Sequence, residues 1–266
     1  MTLPSILKIA STLACIIAAG ASSANNNSTA SFTHFSYTLI DLDPNDGMTP
    51  SITFGNLSPS QVQVLSYQKD FDITYKQGLV PLAPVSVTQA GTGYSGSATV
   101  SGGGTFATLG LTANSEIANA GPSSLSTRSW ASLGSSTFQL SANTGIRFYF
   151  TYSGSLHTDA ISGSWDQFNV DASGELEFVM SGQGTQRRYW YADASLADLS
   201  KPYDYSWSES AVISYDNLSS HSVSGGLFGN IETSGVIANV PEPSSYAMFG
   251  AGLVMLSALR ARRRQR

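Results

Sequence analysis

Ile146-Arg147-Phe148-Tyr149-Phe150-Thr151-Tyr152 is the stretch that decides the fold. Ile146, Phe148, Phe150 and Tyr152 alternate with Arg147, Tyr149 and Thr151. A pleated chain sends successive side chains to opposite faces, so a period of two describes a strand with one apolar face turned inward. The pattern recurs on either side of it. Phe35, Tyr37 and Leu39 alternate with Ser36, Thr38 and Ile40, and Phe71, Ile73 and Tyr75 alternate with Asp70, Asp72 and Thr74. Residues 106–112, 138–140, 176–180, 189–191 and 212–215 are shorter candidates of the same kind. Glycine and serine punctuate the chain roughly every dozen residues, as in a sandwich or jelly roll. No ten-residue stretch of the body carries a helical apolar stripe. Residues 195–199 read as one helical turn, and no fixed repeat marks a solenoid or propeller.

The sequence therefore predicts an all-β fold: a single antiparallel β-sandwich or jelly-roll-like domain over residues 25–235. Asp171-Ala172-Ser173-Gly174 reads as a turn between two strands. The NNNSTAS segment from Asn25, the Gly91–Gly104 stretch and Gly235–Val240 read as flexible connections. Gly102-Gly103-Gly104 lacks the Lys-Ser/Thr and the following helix of a phosphate loop, so it reads as a loop or bulge.

The 266 residues are 41% hydrophobic and 11% aromatic, enough for a packed core, but only 12% charged. That balance is typical of an exported β-protein. The net charge of −5 averages over segregated segments: Arg260, Arg262, Arg263, Arg264 and Arg266 crowd the C-terminus, and Lys8 stands near the N-terminus. Between residues 25 and 239, 17 acidic side chains face seven basic ones, a net of −10. Such a body repels polyanions, which excludes nucleic acid as a partner class.

Lys8, the apolar run from Ile9 to Gly20 and the small residues Ser22-Ser23-Ala24 make residues 1–24 a signal peptide, cut by signal peptidase between Ala24 and Asn25. The run is too short to cross ~30 Å of hydrocarbon. A lipoprotein anchor at Cys15 is the weaker reading, because Thr12 stands where a branched apolar residue belongs. Cleavage removes Cys15, the one cysteine, and leaves a mature domain with no disulfide, thiolate or cysteine metal ligand.

At the other end, Pro241-Glu242-Pro243 precedes Tyr246–Leu259, fourteen residues without a charge, and then the arginine cluster. Two prolines block helix and ladder pairing and leave an extended peptide. Fourteen helical residues reach only about 21 Å, a marginal single transmembrane helix whose flanking arginines snorkel. The arginines stay on the cytoplasmic side, which places the Pro-Glu-Pro peptide and the body outside. This three-part tail, residues 236–266, resembles the PEP-CTERM sorting signal of Gram-negative bacteria. The resemblance implies an exosortase as partner: a membrane transpeptidase or protease that recognises Pro241, Glu242 and Pro243 after export and releases or transfers the protein. It also implies a membrane-anchored intermediate, a final place at the cell surface or in the matrix, and an association with exopolysaccharide and biofilm. It says nothing about the chemistry of the body.

Candidate chemistry in the body is sparse, and no catalytic residue is assigned. Asp41, Asp43, Asn45 and Asp46 sit within DLDPNDG, dense enough in hard oxygens to suggest calcium, but glycine and glutamate miss the EF-hand positions. An Asx-Pro turn is the preferred reading, and no cofactor is expected. His34, His157 and His221 lack ligand spacing. Arg187-Arg188-Tyr189-Trp190-Tyr191 is the most suggestive segment. In a strand, Arg188 and Trp190 share one face and Tyr189 and Tyr191 the other, so a face of this strand suits sugar stacking or an acidic polysaccharide. Tyr203, Tyr205 and Trp207 extend such a platform, and the alternative is that one aromatic row is core. Glu175 and Glu177 share a face about 7 Å apart, compatible with an inverting glycosidase, though solvated glutamates at a turn are the default. The expectation is an exported, non-enzymatic surface or matrix protein, with a carbohydrate-binding module or, further off, a glycan-active enzyme as the alternatives.

Overall fold

A computed structural model describes residues 25–67, 71–81, 83–102, 108–118, 125–159, 165–182, 184–194 and 201–239. The expected signal peptide, the tail from residue 240 and the helical turn at 195–199 lie outside them. Among the described residues the alternating segments form two antiparallel sheets and no α-helix. One sheet has six strands in the order β12 (Tyr203–Asn217), β9 (Thr144–Thr158), β1 (Asn26–Asp41), β7 (Gly110–Ile117), β6 (Tyr94–Ser101) and β5 (Val85–Gly91). The other has seven: β11 (Gly184–Asp193), β10 (Trp165–Met180), β13 (Val223–Asn239), β8 (Leu125–Leu140), β3 (Pro59–Tyr67) and β4 (Phe71–Pro81) in line, with β2 (Ile52–Leu57) paired to β8 off that path. The two faces pack on one another, as the all-β sandwich reading requires. β11 and β12 are edge strands on the same side of the sandwich.

The deciding stretch lies in β9, with Ile146, Phe148 and Phe150 buried between the sheets. Around them Phe32 meets Phe150 at 4.9 Å and Phe35 at 4.7 Å, while Phe178 stacks on Phe138 at 5.0 Å and packs on Phe148 at 5.1 Å. Each fully buried Phe contributes roughly 2–3 kcal/mol of hydrophobic stabilisation before entropy is counted. Toward β7, β8 and β13 the interior changes character. Ser115, Ser129 and Thr233 are buried together: Ser115 Oγ lies 3.0 Å from Thr233 Oγ1 and 3.2 Å from Ser129 Oγ, which donates to the Asn114 carbonyl at 2.6 Å. Hydroxyls satisfied in this way cost little to bury and take up small volumes between close sheets.

Several expected connections are strand instead. NNNSTAS forms the start of β1, with Asn26, Ser28 and Ala30 facing the core. Asp171–Gly174 is the middle of β10, flanked on one side by Asp193–Trp190 and on the other by Ser234–Ile231. Of the Gly91–Gly104 stretch, residues 91–101 belong to a tight hairpin, β5 to β6, whose turn residue Gly93 takes φ 81°, the left-handed geometry that glycine adopts without strain, while residues 103 and 104 of the expected glycine loop lie outside the described residues. β13 runs on to Asn239, so Gly235–Asn239 is ladder and not a loose exit. In each case polar or small side chains, unremarkable by composition, pair through their backbones. β1 also changes phase: His34 at φ 56° sits in a bulge between Thr33 and Ser36 and turns Phe35 inward after Phe32.

Candidate functional site

The RRYWY segment becomes the body of β11, and the sandwich splits its two faces as strand parity requires. Tyr189 and Tyr191 point outward, 64% and 53% exposed, whereas Trp190 is 8% exposed and belongs to the core. Its indole lies across Gly174 of β10, its ladder partner, where an added Cβ would fall 1.7 Å from Cζ2. Only glycine leaves room for the ring. Tyr152 of β9 stacks on the indole at 4.6 Å and 20°, and Phe32 meets it edge-on at 5.0 Å. Trp207 repeats the arrangement in the facing sheet: it is paired with Gly154, lies over it, and stacks with Tyr205 at 5.5 Å.

Between these two edge strands the sandwich opens into a cleft of about 390 Å³, lined by Tyr152, Arg188, Tyr189, Trp190 and the Glu209–Val212 segment of β12. Tyr152 and Glu209 are ladder partners, and the Tyr152 hydroxyl donates to Glu209 Oε2. Burial first, then this donation and the Glu209 charge, push the phenol up to about 12, with Arg188 pulling the other way. The phenol therefore remains a donor at any physiological pH. Arg188 itself makes no hydrogen bond or ion pair among the described residues. By contrast, Arg128 holds Glu232, Arg147 holds Asp216 and Arg187 holds Glu175 and Glu177. The sequence placed Arg188 and Trp190 on one face but gave no signal for Tyr152 or Glu209, which lie 57 residues apart and meet only through β9–β12 pairing. Glycines opposite both tryptophans were the one available hint.

The remaining candidates fall in separate places. Glu175 and Glu177 share the outer face of β10 in mid-strand, not at a turn, and Arg187 of β11 bridges them at 2.5 and 2.7 Å. The paired carboxylates hold that guanidinium protonated above its ordinary range. His34 bonds Thr33 and His221 bonds Ser220, both at the surface. His157 is different: its Nδ1 lies 2.6 Å from Asp204 and its Nε2 3.3 Å from Asp159, and Asp159 accepts the Asn25 amide at 3.0 Å. The contact with Asp204 raises the imidazole above its ordinary 6.5 against the opposing effect of burial. In DLDPNDG the carboxylates serve the backbone: Asp41 accepts from the Asp43 amide, Asp43 from Asn45 and Asp46 from Met48. Asp46 also takes the Asn143 side chain at 2.7 Å, which lowers its carboxyl pKa. These are the local bonds of an Asx turn. A wider concavity of about 640 Å³ near β2 is lined by Gly55, Phe138, Val179, Gly225 and hydroxyl side chains, with no charged group among its lining residues.

The tail begins where the ladder stops. Pro241 follows Asn239 by two residues, at most about 7 Å of extended chain. Residues 239–264 match the PEP-CTERM protein-sorting motif. No curated protein matches the chain. Pro241, Glu242, Pro243, the apolar Tyr246–Leu259 segment and four of the five terminal arginines fall inside the match, so the chain carries a PEP-CTERM sorting motif, which implies processing by an exosortase and an exported, membrane-transiting protein.

Proposed function

We propose that the body serves, once processed, as a non-enzymatic protein of the cell surface or of the extracellular polysaccharide matrix. The observation that carries this is that six of its carboxylates are already held by basic side chains. Glu175 and Glu177 are bridged by Arg187, Asp216 by Arg147, Glu232 by Arg128, and Asp159 and Asp204 by His157. A carboxylate whose oxygens are already taken by a guanidinium or an imidazole has fewer lone pairs left to meet a substrate or an attacking water. Signal peptidase acts at Ala24–Asn25, the exosortase then recognises Pro241-Glu242-Pro243, and no cofactor is required. A net of −10 on the body keeps it soluble outside the cell.

Fractionation of cells carrying a tagged chain tests the location, and incubation of the purified protein with the cells' own exopolysaccharide tests the chemistry. The expected result is recovery in the surface or matrix fraction with no new reducing ends. Release of reducing ends, or retention of all the processed protein in the periplasm, would overturn the reading.

A further inference from the structure

We propose that the cleft between β11 and β12 binds a neutral hexose unit of a polysaccharide. The proposal deepens the matrix reading, on which it rests. Its volume of about 390 Å³ lies within the range of small-ligand sites. Its two walls carry complementary polar groups. On β11, Arg188 presents a guanidinium with no hydrogen bond or ion pair among the described residues, although Arg128, Arg147 and Arg187 each hold a carboxylate. On β12, Glu209 is oriented by the Tyr152 hydroxyl on Oε2 and keeps lone pairs for further donors. A sugar hydroxyl both donates and accepts, so a vicinal pair of hydroxyls satisfies a carboxylate on one side and a guanidinium on the other.

The apolar requirement is met as well. Tyr189 borders the cleft with its ring exposed on the outer face of β11, so it is met by the C–H side of a pyranose that reaches past the rim. Below it, Trp190 lies in the wall, more than nine-tenths buried, and its Nε1 donor has no hydrogen-bond partner. A buried indole N–H is normally paired, and this one has no partner among the described residues.

Charge decides the class of sugar. Arg188 alone would favour a uronate, but Glu209 faces the same cleft and the body carries a net of −10. A uronate carboxylate brought near Glu209 is repelled by the like charge, and more strongly the less water screens it. That offsets what Arg188 contributes, so a neutral ring is preferred over an acidic one.

The test uses the exported protein as released from cells, applied to an array of neutral and uronate-containing oligosaccharides and followed by calorimetry on the strongest ligand. The variants are Arg188→Ala, Glu209→Gln and, as a control on the far edge strand β4, Tyr75→Ala. The expected result is binding to neutral oligosaccharides, weakened about tenfold or more by either cleft variant. Tyr75→Ala should bind as native, and all three should melt as native. No binding to any neutral oligosaccharide, tighter binding to uronates, or binding that both cleft variants leave unchanged would each overturn it. Location is measured separately, so a matrix protein that fails to bind sinks this proposal alone.

Discussion

The sandwich and the tail meet at Asn239, last residue of β13 and first of the sorting motif, yet they store information in opposite ways. The tail's meaning is local: a tripeptide, an apolar run and a cationic end in a fixed order within 239–264. The body's meaning is distributed. Phe150 has its effect through Phe32 on another strand, Trp190 through Gly174, and Glu209 through Tyr152. A local signal identifies its reader, here an exosortase, without any fold. A distributed one specifies a fold first, and its sites appear only after strands from distant parts of the chain have paired.

Mutations that separate the two regions test this contrast. Phe150→Ala should have the largest effect on the body, about 3–5 kcal/mol for a deleted core aromatic, read as a lower urea midpoint. A loss below about 1 kcal/mol would mean that the aromatic belt is not what joins the sheets. Gly174→Val should come next, about 1–3 kcal/mol of overpacking, with the near-ultraviolet dichroism of the stacked Tyr152–Trp190 pair lost. An unchanged spectrum would show that the indole does not lie over this glycine.

A smaller effect concerns pH. His157 is raised in the folded state by Asp204 and Asp159, so folding favours its protonated form. Its contribution is fully present below pH 6.5 and is lost as pH rises through the higher folded value. For so exposed a pair this amounts to about 1 kcal/mol or less, and His157→Gln should flatten that part of the pH–stability curve. A native curve that climbs through the same window relative to the variant would contradict the assignment. Smallest of all, adding calcium or a chelator should leave the melting temperature where it is, because the Asp41–Asp46 carboxylates already accept backbone amides. A calcium-dependent rise abolished by Asp43→Ala would restore a metal role to that loop.

The same contrast explains what could be read in advance. Period-two alternation at 146–152 gave the fold class directly, since apolar side chains mark the inward face. It failed where the inward face is polar: Asn26 and Ser28 in β1, and Asp171 in β10, look like linker or turn residues until a neighbouring strand supplies their partners. Asp171 bonds Ser234 and Asn169 at 2.6 Å, contacts that no local pattern records. The cleft was half legible. Strand parity put Arg188 and Trp190 on one face, but which face meets the core depended on β10, and Glu209 arrived through β9. Only the tail was legible without reference to any other part of the chain.

The most direct test of the account is processing of a chain in which Pro241, Glu242 and Pro243 are all changed to alanine. Because the tripeptide is an address read outside the fold, that variant should accumulate as a membrane-retained body that keeps its C-terminal tail and whose urea midpoint equals that of the native chain. Normal processing and release of that variant would contradict it.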